Sequence, residues 1–220
     1  MKLKKQNAAL LLVDIQQGMN EEAYYGGNRN NRDAEANAQR LLSEWRARSL
    51  PVFHVQHSSQ NEASPLHSSR PGFKIKDEVK PRPDEPVLVK KVNSAFIGTD
   101  LKQRLDEADI HTLVIVGLTT NHCVSTTARM AGNYGYRVIL VSDATATFDR
   151  VGIHGEVYDA ETVHLTSLAS LNEEFAEVMS TERILEVIND EESREGAISD
   201  LEEAVDRILE ERKVNGEVSD

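Results

Sequence analysis

Three residues stand where this 220-residue chain could do covalent chemistry. The only cysteine, Cys123, lies in the run 113–129, LVIVGLTTNHCVSTTAR. Leu113, Val114, Ile115 and Val116, closed by Gly117, read as a short buried strand. Residues 124–132 carry no proline and read as a helix, so Cys123 falls where that helix begins. The free N–H groups and positive dipole end of a helix start lower a thiol pKa and favour the thiolate. The same N–H groups suit a developing oxyanion. Asp14 closes a second apolar run, 8–13 (AALLLV), and Lys90 closes a third, 86–90 (PVLVK). An acid at the carboxyl end of a parallel strand stands where open α/β sheets place functional groups. Each residue also has a plainer reading: Cys123 as a small buried hydrophobe, Asp14 as a turn cap, Lys90 as a solvated charge at a strand end. Lys91 reads as the latter.

The elements that must position these groups follow from periodicity. Run 8–13 reads as a central parallel strand buried on both faces. Residues 33–48 read as an amphipathic helix with Leu41, Leu42 and Trp45 on its apolar face. Residues 51–57 (PVFHVQH) read as a second strand. Residues 58–86, rich in Pro, Ser and charge, read as a long functional loop or lid. Residues 99–108 read as a helix with Thr99 as its N-cap. Residues 137–141 read as the fifth strand, 158–171 as a helix and 174–179 as the sixth strand. This order predicts a three-layer α/β/α fold around a doubly wound, mainly parallel six-stranded sheet. The expected order is Rossmann-like, 3-2-1-4-5-6, which makes strands one and four neighbours at the switch point. Strand three then lies two places from strand one, so Lys90 must reach across. There is no glycine-rich phosphate loop of the dinucleotide or P-loop kind.

Composition narrows the function classes. Hydrophobic residues are 39% and charged residues 28%, ordinary for a globular protein. A single cysteine excludes a disulfide framework and suits a reducing cytoplasm, the expected location. No signal peptide is expected from the start of this sequence, and no run in it approaches the ~18 apolar residues of a membrane span. The net charge of −12 is concentrated in 181–220, which carries −9 of it. No basic patch points to nucleic acid or to a membrane surface. Two domains are expected: a body, 1–180, and an acidic helical extension, 181–220. In the extension Ser199 opens a capping box, and Ile198, Leu201, Val205 and Ile208 form a short apolar seam. That seam is expected to pack across a subunit interface over 181–212, giving a homo-oligomer.

His54, His57 and His67 are the candidates for a metal. His54 and His57 are three apart, so on a strand they point to opposite faces. No acid lies between them, and no metal site is expected.

Three pieces together resemble the isochorismatase-like cysteine hydrolases over residues 6–180: LLLVDIQQGM around Asp14, KKVNSAF headed by Lys90, and GLTTNHCVSTTARMAGNYGY around Cys123. The resemblance implies a catalytic triad of Asp14, Lys90 and Cys123. It also implies a cis peptide at Leu118–Thr119 and an oxyanion hole at the N–H groups of Thr119 and Cys123. Dimers or tetramers are implied too. Metal-binding nicotinamidases of this superfamily carry Asp-x-His after the second strand, where this chain reads Val55-Gln56-His57. Enzymes of the fold that hydrolyse isochorismate lack the cysteine. The expectation is therefore a cofactor-free hydrolase that cleaves a C–N bond of a small amide, lactam or carbamoyl compound through a thioester. The alternatives are a metal-assisted nicotinamidase-type amidase and a non-catalytic oligomerising protein of the same fold.

Overall fold

A computed structural model describes residues 7–190. The first strand, β1 (Ala9–Val13), is followed by a 3₁₀ turn, Gln17–Asn20, and a one-turn helix, α1 (Glu22–Tyr25). Then come α2 (Ala34–Ala47), β2 (Val52–His57), β3 (Val87–Lys90), α3 (Leu101–Glu107) and β4 (Thr112–Leu118). A π-helical turn, Thr120–Val124, leads into α4 (Ser125–Asn133). The chain continues through β5 (Arg137–Ala146), β6 (Arg150–Val151), β7 (Val157–Tyr158), α5 (Ala160–Leu171) and β8 (Glu177–Met179). Six strands form one parallel sheet in the order β3-β2-β1-β4-β5-β8, while β6 and β7 pair separately as an antiparallel hairpin. This is the expected doubly wound topology, with β8 in the sixth place.

The alternation along β1 builds two cores, one on each face of the sheet. Leu10 and Leu12 pack with Leu41, Leu42 and Trp45 of α2. Leu11 and Val13 pack with Leu101, Leu105 and Ala128 on the other face. The indole N–H of fully buried Trp45 donates to Ala8 O at 2.9 Å, so the ring is satisfied as well as packed.

Several expected boundaries shift. Cys123 lies inside the π turn, ahead of the helix proper. Asp100, not Thr99, occupies the N-cap position of α3; Thr99 Oγ1 instead donates to Ala95 O at 2.5 Å. β5 runs to Ala146, because its pairing with β4 shifts register between Ile115 and Gly117 and resumes at Thr145. β8 is only three residues long. The loop 58–86 is built around two 3₁₀ turns, Pro71–Phe73 and Asp77–Val79. Residues 181–190 are helical, and Ile184, Val187 and Ile188 join the α2 core of their own chain. Asp143 anchors that helix, accepting from the N–H and hydroxyl of Thr181 at 2.7 and 2.8 Å. The capping box at Ser199 and the seam Ile198–Ile208 lie outside the described residues. Among the described residues no helix is long and apolar enough to cross a membrane.

Candidate active site

Asp14 leaves β1 with φ +52°, a left-handed conformation that Asp adopts more readily than most residues. The turn directs its carboxylate along the carboxyl edge of the sheet. Next to it, β4 approaches β1 unusually closely. A Cβ on Gly117 would stand 1.9 Å from Val13 O, and Gly117 has φ +125°, so only glycine fits. The strand then passes through a cis peptide at Leu118–Thr119 into the turn that carries Cys123. Two contacts pin this turn. Thr120 Oγ1 lies 2.9 Å from His164 Nδ1, and Thr147 Oγ1 donates to Asn121 Oδ1 at 2.6 Å.

Lys90 does reach across from β3. It is 1% exposed, and its Nζ donates to Asp14 Oδ2 at 2.7 Å. The span is possible because His57, at the end of β2, is the register partner of Lys90, and the side chain extends over that strand end. Lys90 Nζ also lies 3.1 Å from His57 Nδ1. Donor atoms of Asp14, His57 and Cys123 all fall within 4.8 Å of one another. The other carboxylate oxygen, Asp14 Oδ1, is buried without a hydrogen-bond partner.

The electrostatics correct one expectation. Burial, then the Asp14 charge, push the Cys123 thiol up, and Lys90 only partly opposes them. The net push on the thiol is thus upward, opposite to the lowering expected from a helix start. Burial, then Lys90, lower the His57 pKa, and burial, then Arg150, lower that of His122.

A resident metal does not fit these donors. The Lys90 ammonium already bonds both Asp14 and His57, so a divalent ion would meet a fixed positive charge among its ligands. The other two metal candidates, His54 and His67, do not converge here. His54 Nε2 pairs with Glu85 at 2.9 Å, and His67 Nδ1 lies 2.8 Å from Ser69 Oγ.

The reacting groups open into a cavity of about 180 Å³ lined by Asp14, Met19, Tyr25, His57, Leu66, Asn93, Thr119, His122 and Cys123, with Ser59 and Ser64. The loop 58–86 thus contributes Ser59, Ser64 and Leu66. The turns after β1 supply Met19 and Tyr25, which no periodic pattern marked. Asn93 and His122 sit inside the motifs around Lys90 and Cys123, so adjacency was their signal. The Tyr25 ring stacks on Phe148 with centroids 5.0 Å apart. Two larger depressions, one at Arg46–Phe53 and one along β3, do not include Cys123.

Comparison with known proteins bears on this geometry. The family model described as "Isochorismatase domain" matches residues 8–183. An isochorismatase family protein of Bacillus subtilis, YrdC, is 43% identical over 181 residues, 82% of this chain and 96% of its own. A crystal structure described as an isochorismatase-family hydrolase from Chromobacterium violaceum superposes with a TM-score of 0.82 at 39% identity, covering 86% of this chain and 97% of that one. A cysteine hydrolase from Pseudomonas syringae pv. phaseolicola superposes with a TM-score of 0.78 at 25% identity, covering 87% and 96%. More distant relatives include streptothricin hydrolase of Streptomyces noursei, 34% identical over 144 residues (64% of this chain, 55% of that one), and Nicotinamidase 3 of Arabidopsis thaliana, 29% over 175 residues (72% and 80%). With the family model spanning nearly all of the described residues, the chain belongs to the isochorismatase family of hydrolases.

Proposed function

We propose that this hydrolase cleaves a C–N bond of a small, uncharged amide, lactam or carbamoyl compound through a Cys123 thioester. The buried Lys90–Asp14 pair beside Cys123 carries this reading. Asp14 Oδ1 takes the thiol proton as Sγ attacks the carbonyl carbon. Lys90 holds the carboxylate and stabilises the developing thiolate. The N–H groups of Thr119 and Cys123 receive the oxyanion, and one good donor of this kind is worth about 3–4 kcal/mol elsewhere. Collapse breaks the C–N bond, and Asp14 returns its proton to the departing amine. Asp14 then deprotonates a water that attacks the thioester carbon. The acid leaves, Cys123 recovers its proton, and no cofactor enters the balance.

The cavity supports the substrate class. An apolar cavity of about 150 Å³ accommodates benzene elsewhere, so about 180 Å³ suits a single-ring molecule. No arginine lines it, and Lys90, behind it, is already paired with Asp14. Among the described residues that line the cavity, a substrate carboxylate would meet no cation. Relatives that carry the names streptothricin hydrolase and Nicotinamidase 3 are in keeping with a hydrolase of this kind. The test is a panel of small neutral amides, lactams and carbamoyl compounds, with ammonia or amine release as readout. Turnover is expected in the native chain and none in Cys123→Ala; equal rates in both would refute the proposal.

A further inference from the structure

Tyr25, His57 and His122 line the cavity without a part in this reaction, and of the three His57 is the one in contact with Lys90. His57 closes β2, and its placement is built from both sides. Its N–H donates to Gln16 Oε1 at 2.8 Å, and Gln16 Nε2 donates back to His57 O at 3.1 Å. Gln16 is fully buried and also donates to Phe73 O at 2.8 Å, so the clamp is itself anchored. The ring therefore has a fixed base, and its Nδ1 meets the Lys90 ammonium at 3.1 Å.

An ammonium has three protons to donate and no acceptor. A contact at that distance is favourable only if Nδ1 carries no proton, which makes His57 the neutral tautomer with its proton on Nε2. The charged and titratable groups facing the ring are Lys90 from β3, Asp14 from the end of β1 and Cys123 from the π turn. Asp14 takes one ammonium proton and His57 a second. That leaves a single proton direction, and Lys90 also acts on the Cys123 thiol, whose pKa it lowers. Without His57, the ammonium could rotate about its bond to Asp14 and share its protons across the carboxylate.

We propose that His57 is a positioning residue that orients the Lys90 ammonium toward Cys123. The proposal rests on Cys123 being the reacting thiol, but it concerns thiol reactivity rather than any substrate. Protonation of His57 would remove the acceptor and set two cations against each other, so the alignment is lost on the acid side.

Two measurements on the full-length protein test it, neither needing a substrate. The first is ¹⁵N NMR of the histidine rings in the unmutated chain. The expected result is an Nε2–H tautomer for His57 near neutral pH; a proton on Nδ1 would overturn the proposal. The second is the pH dependence of Cys123 alkylation by iodoacetamide in His57→Leu and His57→Asn. Asn can place its Oδ1 where Nδ1 stood and keep an acceptor. His57→Leu is expected to slow alkylation at fixed pH about tenfold, one unit in apparent thiol pKa. His57→Asn is expected to retain the native rate and to lose only the part of the acid-side decline that exceeds the thiol's own titration. Leu behaving as the native chain, or folded Asn as poorly as Leu, would overturn it. A chain that turns over no amide still tests the proposal. Native alkylation in His57→Leu would sink it while leaving the hydrolase reading intact.

Discussion

Burial and the Asp14 carboxylate both push the Cys123 thiol pKa up, so the charge of Asp14 and its role as the proposed base act on the thiol in opposite senses. This separates two effects of one substitution. Asp14→Asn removes the negative charge that raises the thiol pKa and also removes the base. Iodoacetamide alkylation near neutral pH is expected to accelerate, while hydrolysis falls by about 10³-fold or more. A parallel loss in both assays would reduce Asp14 to a structural role. The two lysines differ in the same spirit. Lys90→Ala strands a buried carboxylate and is expected to cost about 3–5 kcal/mol as well as activity. Lys91→Ala, at an exposed position, is expected to shift stability by no more than about 0.5 kcal/mol. Denaturant melts beside activity assays decide both. Asp14 and Lys90 stood out in the sequence because each closes an apolar run, and Cys123 because it is the single cysteine and falls at the expected helix start; their grouping as a triad is what the resemblance implies. Tyr25 and Met19 did not stand out, because side chains folded in from short turns leave no period. The thiol pKa was misjudged because a helix start is a local feature, whereas burial and a charge from another strand are not.

Among the elements, the β1–β4 contact fixes the site. Gly117→Ala would force a Cβ into Val13 O. The expected result is a loss of about 3 kcal/mol or more, by thermal or urea unfolding. Near-native stability would show that β4 can move away from β1 at no cost. The central strands and α2 were readable because their periods run for many residues: the expected helix 33–48 is observed as Ala34–Ala47. The β6–β7 hairpin was not, because two-residue strands carry too little alternation to register. β5 was cut short in the reading because Ser142-Asp143 look like a strand end, although the register shift lets the strand continue past them.

For the molecule as a whole, four partly or fully buried histidines set the acid limit. His54, His57, His122 and His164 all have pKa values lowered from an ordinary 6.5, burial being the largest cause in each. The unfolded chain then binds protons at a pH where the folded chain does not, so stability falls as pH drops below about 6.5. Burial raises the Glu35 pKa, but Arg29 and Lys76 together pull it down to about 2, a further contribution lost as pH falls from 4.5 toward that value. Urea midpoints across this range are expected to decline on acidification; a flat profile would refute the assignment. The hairpin and α5 also leave Val151, Ile153, Val157, Tyr158 and Leu165 exposed, from 45% to 92%. We propose that a second copy of the chain covers them, since so much apolar surface is unusual on a monomer. Light scattering should show a homo-oligomer that Ile153→Asp weakens. A native monomer would exclude it.

β3 is the edge of the sheet. It pairs only with β2, and its Val87 and Val89 are nearly half exposed. Lys90 therefore hangs on an edge strand with a single neighbour, while Asp14 and Cys123 follow the two central ones. Edge strands open at lower free energy than a core. Amide protons of β3 are expected to exchange with deuterium sooner than those of β1 and β4. In rising urea the protein should then fall silent as an enzyme before its circular dichroism changes, inactive yet still folded.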